Sequence, residues 1–300
     1  MTRRSAALLV VLAATWGGVY PLTTIALRDF PPAWVVLGRA VFAAMVLVPA
    51  AIYAGGFGPL RRRWGQLLVA GTVQAAIPLG LLTVGQQHVS AGIAGILSAT
   101  QPLFVVTLVM TLDRIIRLRE LVGVVVGLVG VTLLFLDEVG SSATTIAGGV
   151  AVLASALFFA TGSVYIHRAL PDTSPVGIAA AAMCLTTLVV APIAAVGPYP
   201  SAPGVAEWTS LVALGVIGNG LALGLFYALI HWPGPTRAAL AWYLAPGFAV
   251  LYDIPLAGLP ALAAVAGLIL IVAGSAITAT ARHEAEVPSG RSEPSRPRRS

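Results

Sequence analysis

Long apolar runs, broken by short polar or arginine-bearing stretches, dominate the chain from end to end. Residues 5–27 carry no charge, and residues 64–112 carry no Asp, Glu, Lys or Arg, although a polar run, Gln86-Gln87-His88-Val89-Ser90, interrupts them. The runs are continuous rather than alternating every second residue, which predicts helices and not the strands of a membrane barrel. A helix needs about 20 apolar residues to cross the hydrocarbon core. On that measure the pattern predicts helices near 5–27, 33–54, 66–84, 90–112, 120–136, 147–167, 176–196, 207–230, 236–256 and 258–280. The expected fold class is an all-α integral membrane protein with ten transmembrane helices.

Composition supports a membrane protein. The 300 residues are 58% hydrophobic and 9% charged, whereas soluble domains carry about 25% charged residues. A mean hydropathy of +0.94 agrees. Too few charges remain to coat a water-soluble globule, which excludes most soluble enzymes, nucleic-acid binders and disordered regulators.

The net charge of +6 is carried by arginine alone, since the chain has no lysine. The arginines cluster at the ends of the apolar runs, so they read as topology signals rather than as a nucleic-acid face. With the N-terminus inside, all but Arg28, in an outer loop, and Arg39, within the second run, fall on the cytoplasmic side. This predicts cytoplasmic N- and C-termini and an even number of spans. Arg3-Arg4 ahead of an apolar run also resembles a signal peptide, but the run is long and no polar mature domain follows it. Residues 281–300, rich in Pro, Ser, Glu and Arg, are expected to form a disordered cytoplasmic tail. The single cysteine, Cys184, allows no intrachain disulfide and reads as a packed apolar residue.

The chain also resembles itself at a spacing of about 144 residues. Pro102 matches Pro246, Phe104 matches Phe248, Val106 matches Val250, Gly123 matches Gly267 and Gly130 matches Gly274, while Val19-Tyr20 matches Val164-Tyr165. Five spans per copy is odd, so the second copy would enter the membrane from the opposite side. The expectation is two inverted repeats, residues 1–138 and 139–280, which is the architecture of many secondary transporters.

Trp16-Gly17, Leu37-Gly38-Arg39, Ser90-Ala91-Gly92-Ile93-Ala94 leading to Pro102-Leu103-Phe104, the stretch Gly123 through Gly130, and Ala238-Ala239-Leu240 leading to Pro246 resemble the drug/metabolite transporter superfamily, EamA type. The resemblance spans about residues 5–280. It implies ten helices in two inverted five-helix repeats around a central cavity that moves amino acids, other small metabolites, nucleotide sugars or drugs. Family members often carry a glutamate before the fifth and tenth spans; here Asp113-Arg114 and Gly258 stand near those places.

Polar side chains at membrane depth are costly, so each is a candidate for the site. Gln74 and Asn219 lie at the centres of the third and eighth spans, 145 residues apart, where an amide suits a zwitterionic or hydroxylated solute. Interhelical glue, worth ~0.6 kcal/mol in membranes, is the plainer role. Ser98, Thr100 and Gln101 precede Pro102, and Trp242 and Tyr243 precede Pro246. Each proline removes a helical hydrogen bond, so both are hinge candidates whose freed carbonyls need partners or a wet cavity. Trp16, Tyr20 and Tyr227 could wall a cavity or simply pack. Arg39 is the arginine well inside a span and Asp253 the acid clearly inside one, and they are the candidates for ion coupling. Arg39 could instead snorkel outward toward Asp29, and Asp253 could be a polar helix end before Pro255.

Other classes fit less well. The four histidines fall in loops or at span ends, with neither HExxH nor GxSxG, so no enzyme is expected. A channel would usually show a charged ring or carbonyl filter built by oligomerisation, which a duplicated single chain does not need. No P-loop, cofactor site, metal site or nucleic-acid surface is expected, and the partners reduce to a small-molecule substrate and the lipid bilayer around a monomer. The expected function is a secondary transporter, an exporter of small metabolites such as amino acids in the cytoplasmic membrane. A multidrug or nucleotide-sugar-type transporter is the alternative.

The arginine pattern generates a direct test. Alkaline phosphatase fused after residue 280 is expected to be inactive, and a fluorescent protein fused there bright; the reverse would overturn the orientation.

Overall fold

A computed structural model of the chain describes residues 3–56, 63–114, 117–137, 142–171, 173–223, 225 and 240–286. Among them there is helix and no strand. The order is α1 (Arg3–Ala26), α2 (Pro32–Tyr53), α3 (Trp64–Gly71), a π-helical turn (Thr72–Ala76), α4 (Ile77–Gly85), α5 (Ala91–Ser98), α6 (Gln101–Asp113), α7 (Leu118–Asp137), α8 (Ala143–Ala169), α9 (Pro175–Val196), α10 (Val205–Ala213), a second π segment (Leu214–Leu221), α11 (Leu240–Ala257) and α12 (Leu262–Glu286). Six rods are long and apolar enough to cross a membrane: Ala7–Ala26, Pro32–Tyr53, Trp64–Gly85, Ala91–Asp113, Ala143–Ala169 and Pro175–Val196. Val205–Leu221, Leu244–Ala257 and Leu262–Ile277 are shorter apolar helices. The last two are separated at Gly258–Ala261, beyond Pro255, and α12 runs on to Glu286, past residue 280 where the tail was placed.

The surface is what lipid requires. Met45, Ile52, Leu188, Ile193 and Ile269 are exposed on outward faces. Polar groups inside the bundle are mostly satisfied within their own helix. Thr23, Thr83 and Thr186 are fully buried, and each hydroxyl donates to the carbonyl four residues back, at 2.7–2.8 Å. An unsatisfied hydroxyl in hydrocarbon would cost several kcal/mol, on the order of the water-to-alkane transfer penalty.

The rods interlock across the two halves of the sequence. α1 packs on α11 and α10, α8 on α4 and on α5–α6, α2 on α9 and the second π segment, and α7 on α12. The α7–α12 contact depends on glycine. A methyl on Gly130 would lie 2.7 Å from the Gly267 carbonyl oxygen, and one on Gly274 would lie 2.7 Å from the Gly127 nitrogen and collide with the Gly123 carbonyl. Without a hydrophobic drive between helices in lipid, such backbone approach is what holds them together. The α1–α2 connection is tied to the α9–α10 connection: Ser201 N–H donates to Asp29 O at 3.1 Å, Trp34 Nε1 to Pro198 O at 3.1 Å, and the Phe30 and Trp208 rings meet edge to face at 4.9 Å.

The acidic residue at the start of α7 is Glu120. It sits buried in the first turn of α7 and accepts from Arg117 at 3.2 Å. In the sequence Asp113-Arg114 stands near the place of the glutamate that family members often carry before the fifth span. Asp113 pairs instead with Arg168 at the end of α8.

The glycine seam predicts a contrast. Gly130→Ala should lower the unfolding temperature of the detergent-purified protein, because overpacking typically costs about 1–3 kcal/mol, more than the roughly 1 kcal/mol that alanine gains in a helix. Gly80→Ala, where an added methyl meets nothing within 4 Å, should be neutral or stabilising. Equal effects at the two positions would show that the seam is not tightly packed.

Candidate functional site

The two π segments are where regular helix gives way, and each has a local cause. In the third rod, Pro78 has no N–H to offer the Gln74 carbonyl, and the backbone widens over Thr72–Ala76, with Ile77 N–H reaching back five residues to Thr72 O. In the eighth, Gly215, Gly218 and Gly220 lie within Leu214–Leu221, and Ala222 N–H reaches back to Ile217 O. π turns are rare and concentrate at functional positions. Gln74 sits on the first and Asn219 on the second.

Close backbone approach brings both amides to partners. A methyl on Gly162 would meet the Gln74 Cα at 2.8 Å, so this glycine lets α8 close on the first π turn. There the Ser163 hydroxyl reaches Gln74 Oε1 at 3.4 Å while donating to its own Phe159 carbonyl at 2.8 Å. A methyl on Gly215 would lie 2.9 Å from the Arg39 carbonyl oxygen. Asn219 Oδ1 thereby accepts from Arg39 Nη2 at 2.9 Å and from Nε at 3.3 Å. Arg39 is 2% exposed, so it does not snorkel toward Asp29; the second π segment supplies a nearer acceptor.

The fourth rod breaks at Ala99–Thr100, between α5 and α6, just before Pro102. Its loosened polar groups are re-paired locally: Thr100 Oγ1 donates to Leu97 O at 2.7 Å, Ser98 Oγ to Ala94 O at 2.8 Å, and Ser275 Oγ of α12 reaches Ala99 O at 3.4 Å. α11, by contrast, continues through both Pro246 and Pro255. The matched prolines therefore have different local structures.

These irregularities surround one cavity of ≈ 680 Å³. Of the sequence candidates, Trp16, Tyr20, Arg39, Gln74, Ser98, Gln101, Pro102, Asn219 and Pro246 line it. The Tyr20 side chain lies close to Ser98, whose hydroxyl donates to Ala94 O, and within electrostatic reach of Arg39. Gln86 Nε2 donates to the Tyr20 carbonyl at 3.0 Å, which fixes α1 against the end of α4. Leu79, Leu82, Phe159 and Met183 supply apolar wall, and the cavity runs along α8 to His167, Leu170 and Thr173 at the α8–α9 connection.

Two candidates stand elsewhere. Thr100 is buried and spends its hydroxyl on Leu97. Asp253 is buried near the end of α11, where its Oδ2 accepts the Gly92 N–H at 2.8 Å in the first turn of α5, and it does not line the cavity. Tyr227 lies outside the described residues, as do the side chains of Trp242 and Tyr243. Ser163, His167 and Thr173 were not anticipated. Ser163 was readable as a polar group at depth in the sixth run, whereas His167 and Thr173 join the wall only because the α8–α9 connection folds over its end. Among the described residues no group of three His, Cys, Asp or Glu could hold a metal ion.

The comparisons with known proteins agree with this architecture. Residues 4–136 and 146–280 each match the EamA-like transporter family. The uncharacterized inner membrane transporter YedA of Escherichia coli K12 is 28% identical over 255 residues, covering 83% of this chain and 82% of YedA. A probable terminal-alkyne amino-acid exporter of Streptantibioticus cattleyicolor is 26% identical over 291 residues, covering 94% of this chain and 97% of the exporter. A solved crystal structure, 22% identical, superposes with a TM-score of 0.67 over 95% of this chain and all of that one, which shows a shared fold. The chain is an integral membrane protein that belongs to the EamA-like transporter family.

Proposed function

We propose that this protein is a secondary transporter that exports small metabolites, amino acids being the class that fits best, across the cytoplasmic membrane by alternating access. The observation that carries the reading is the cavity itself. Its wall draws on both halves of the chain, with an amide from a π turn in each, at positions 145 residues apart.

Ten spans in two inverted repeats, residues 1–138 and 139–280, complete the proposal. The two separate family matches support it. So does the packing: exchanging each rod for the one five places along maps the α1–α11 contact onto α5–α6 with α8, the α2–π segment contact onto α9 with α3 and its π turn, and α7–α12 onto itself. Such exchange converts an inward-open state into an outward-open one. With both termini cytoplasmic, the α8–α9 connection lies inside and the cavity faces the cytoplasm. The Asp253–Gly92 bond then draws α11 onto α5 on the outer side. The relative named as an amino-acid exporter supports the substrate class and direction.

Reconstitution tests the proposal. Proteoliposomes preloaded with unlabelled L-leucine or L-phenylalanine are expected to accumulate the labelled amino acid by counterflow. Gln74→Ala should lower that uptake several-fold at equal reconstituted protein, since one lost hydrogen bond is worth about 1 kcal/mol. Absence of counterflow, or full uptake by the variant, would contradict it.

A further inference from the structure

Arg39 is out of balance with its surroundings. The residue is buried, 2% exposed, in a helix long and apolar enough to cross a membrane. A guanidinium has five N–H donors. Nε and Nη2 converge on the single acceptor Asn219 Oδ1, at 3.3 and 2.9 Å, and Nη1 is buried with no hydrogen-bond partner. A buried charge is tolerable when it has a counter-charge and satisfied donors. Among the described residues that line the cavity Arg39 faces there is neither Asp nor Glu. The buried carboxylates among the described residues, Glu120, Glu207 and Asp253, all stand off the cavity wall, Glu120 accepting from Arg117 and Asp253 from the Gly92 N–H.

We infer that the cavity is a receptor for one carboxylate group, taken by the Arg39 guanidinium while Asn219 holds that guanidinium in place. This inference rests on the transport reading above and narrows its substrate to compact monocarboxylates, zwitterionic amino acids included. The geometry supplies what the anion lacks in lipid: a fixed cation with an unpartnered donor, and the Tyr20 hydroxyl within electrostatic reach of it. Asn219 spends its oxygen on two nitrogens of one guanidinium, which fixes the plane of the fork and leaves Nη1 for the solute. A dianion such as a phosphate ester fits badly, because the other lining side chains near Arg39 are neutral and one guanidinium cancels one charge. A cationic drug fits worse, because no carboxylate among the described lining residues would offset it. The apolar wall of Leu79, Leu82 and Phe159 receives the rest of the molecule.

Thermal stabilisation of the purified full-length protein in detergent tests this. The probes are L-leucine, 4-methylpentanoate and L-leucinamide, and the matching L-phenylalanine, 3-phenylpropionate and L-phenylalaninamide, at constant ionic strength. Both carboxylate-bearing members of at least one set should stabilise the protein, and the amide should not. Arg39→Gln should weaken the apparent affinity roughly ten- to a hundred-fold, as expected for a lost charged hydrogen bond, with Arg39→Lys intermediate. Asn219→Asp covers the case in which Arg39→Gln does not fold. An internal counter-charge should raise the unliganded melting temperature and abolish stabilisation by carboxylates, whereas a purely structural amide would leave ligand stabilisation intact. Stabilisation by amide and acid alike, by chloride alone, by no carboxylate probe, or undiminished in Arg39→Gln or Asn219→Asp, overturns the inference. Counterflow separates the two readings. A carboxylate that binds through Arg39 yet is not carried sinks transport and leaves the receptor. L-leucinamide carried as well as L-leucine, by wild type and Arg39→Gln alike, sinks the receptor and leaves transport.

Discussion

Hydrocarbon offers no hydrogen bonds, so every backbone amide and carbonyl in the span must be satisfied by the protein itself. That constraint makes the chain helical nearly everywhere, and it gives meaning to the places where helix fails. Three such places are prominent: the π turn at Thr72–Ala76, the π segment at Leu214–Leu221, and the break at Ala99–Thr100. Irregular backbone at membrane depth is tolerated only where protein or water meets its needs. All three border the same cavity, through Gln74, Asn219, and the Ser98 to Pro102 stretch. The cavity is therefore located by the backbone as much as by side chains.

The same constraint sorts the polar side chains. The buried threonines satisfy themselves on their own helix and need nothing from a neighbour. Gln74, Asn219 and Arg39 cannot do so; each reaches another rod. Glycine makes those reaches short enough. Gly162 admits the first π turn to α8 and Gly215 admits the second to α2, as the Gly130–Gly267 contact admits α7 to α12. Such a bundle is held by small contacts and polar pairs rather than by water-driven apolar burial.

The helical order was legible because membrane helices announce themselves by apolar length, and the described rods fall within a few residues of the expected intervals. The candidate site was legible where a polar residue interrupted an apolar run, as at Gln74, Ser98, Gln101 and Asn219. It was not legible where position depends on partners. Nothing in the run around Arg39 shows that a second π segment would offer it an amide, so proximity to the interface suggested snorkelling. Asp253 could be read as a coupling group or as a polar helix end, and its partner, the Gly92 N–H on another helix, is not visible in the sequence. Thr100 looked like lining until its hydroxyl turned to Leu97. His167 and Thr173 carried no signal, since their place follows from how the α8–α9 connection packs.

The central claim is that this cavity is a path reached in turn from each side of the membrane. Solvent access to Ser163→Cys, in a Cys184→Ala background, measures it most directly, with lipid-facing Leu188→Cys as the control. In oriented vesicles a membrane-impermeant thiol reagent is expected to label position 163 from the cytoplasmic face and, more slowly, from the opposite face, with a carried solute changing the ratio, while position 188 stays unlabelled. Labelling of position 163 from one face only, at a rate that no carried solute alters, would contradict the account.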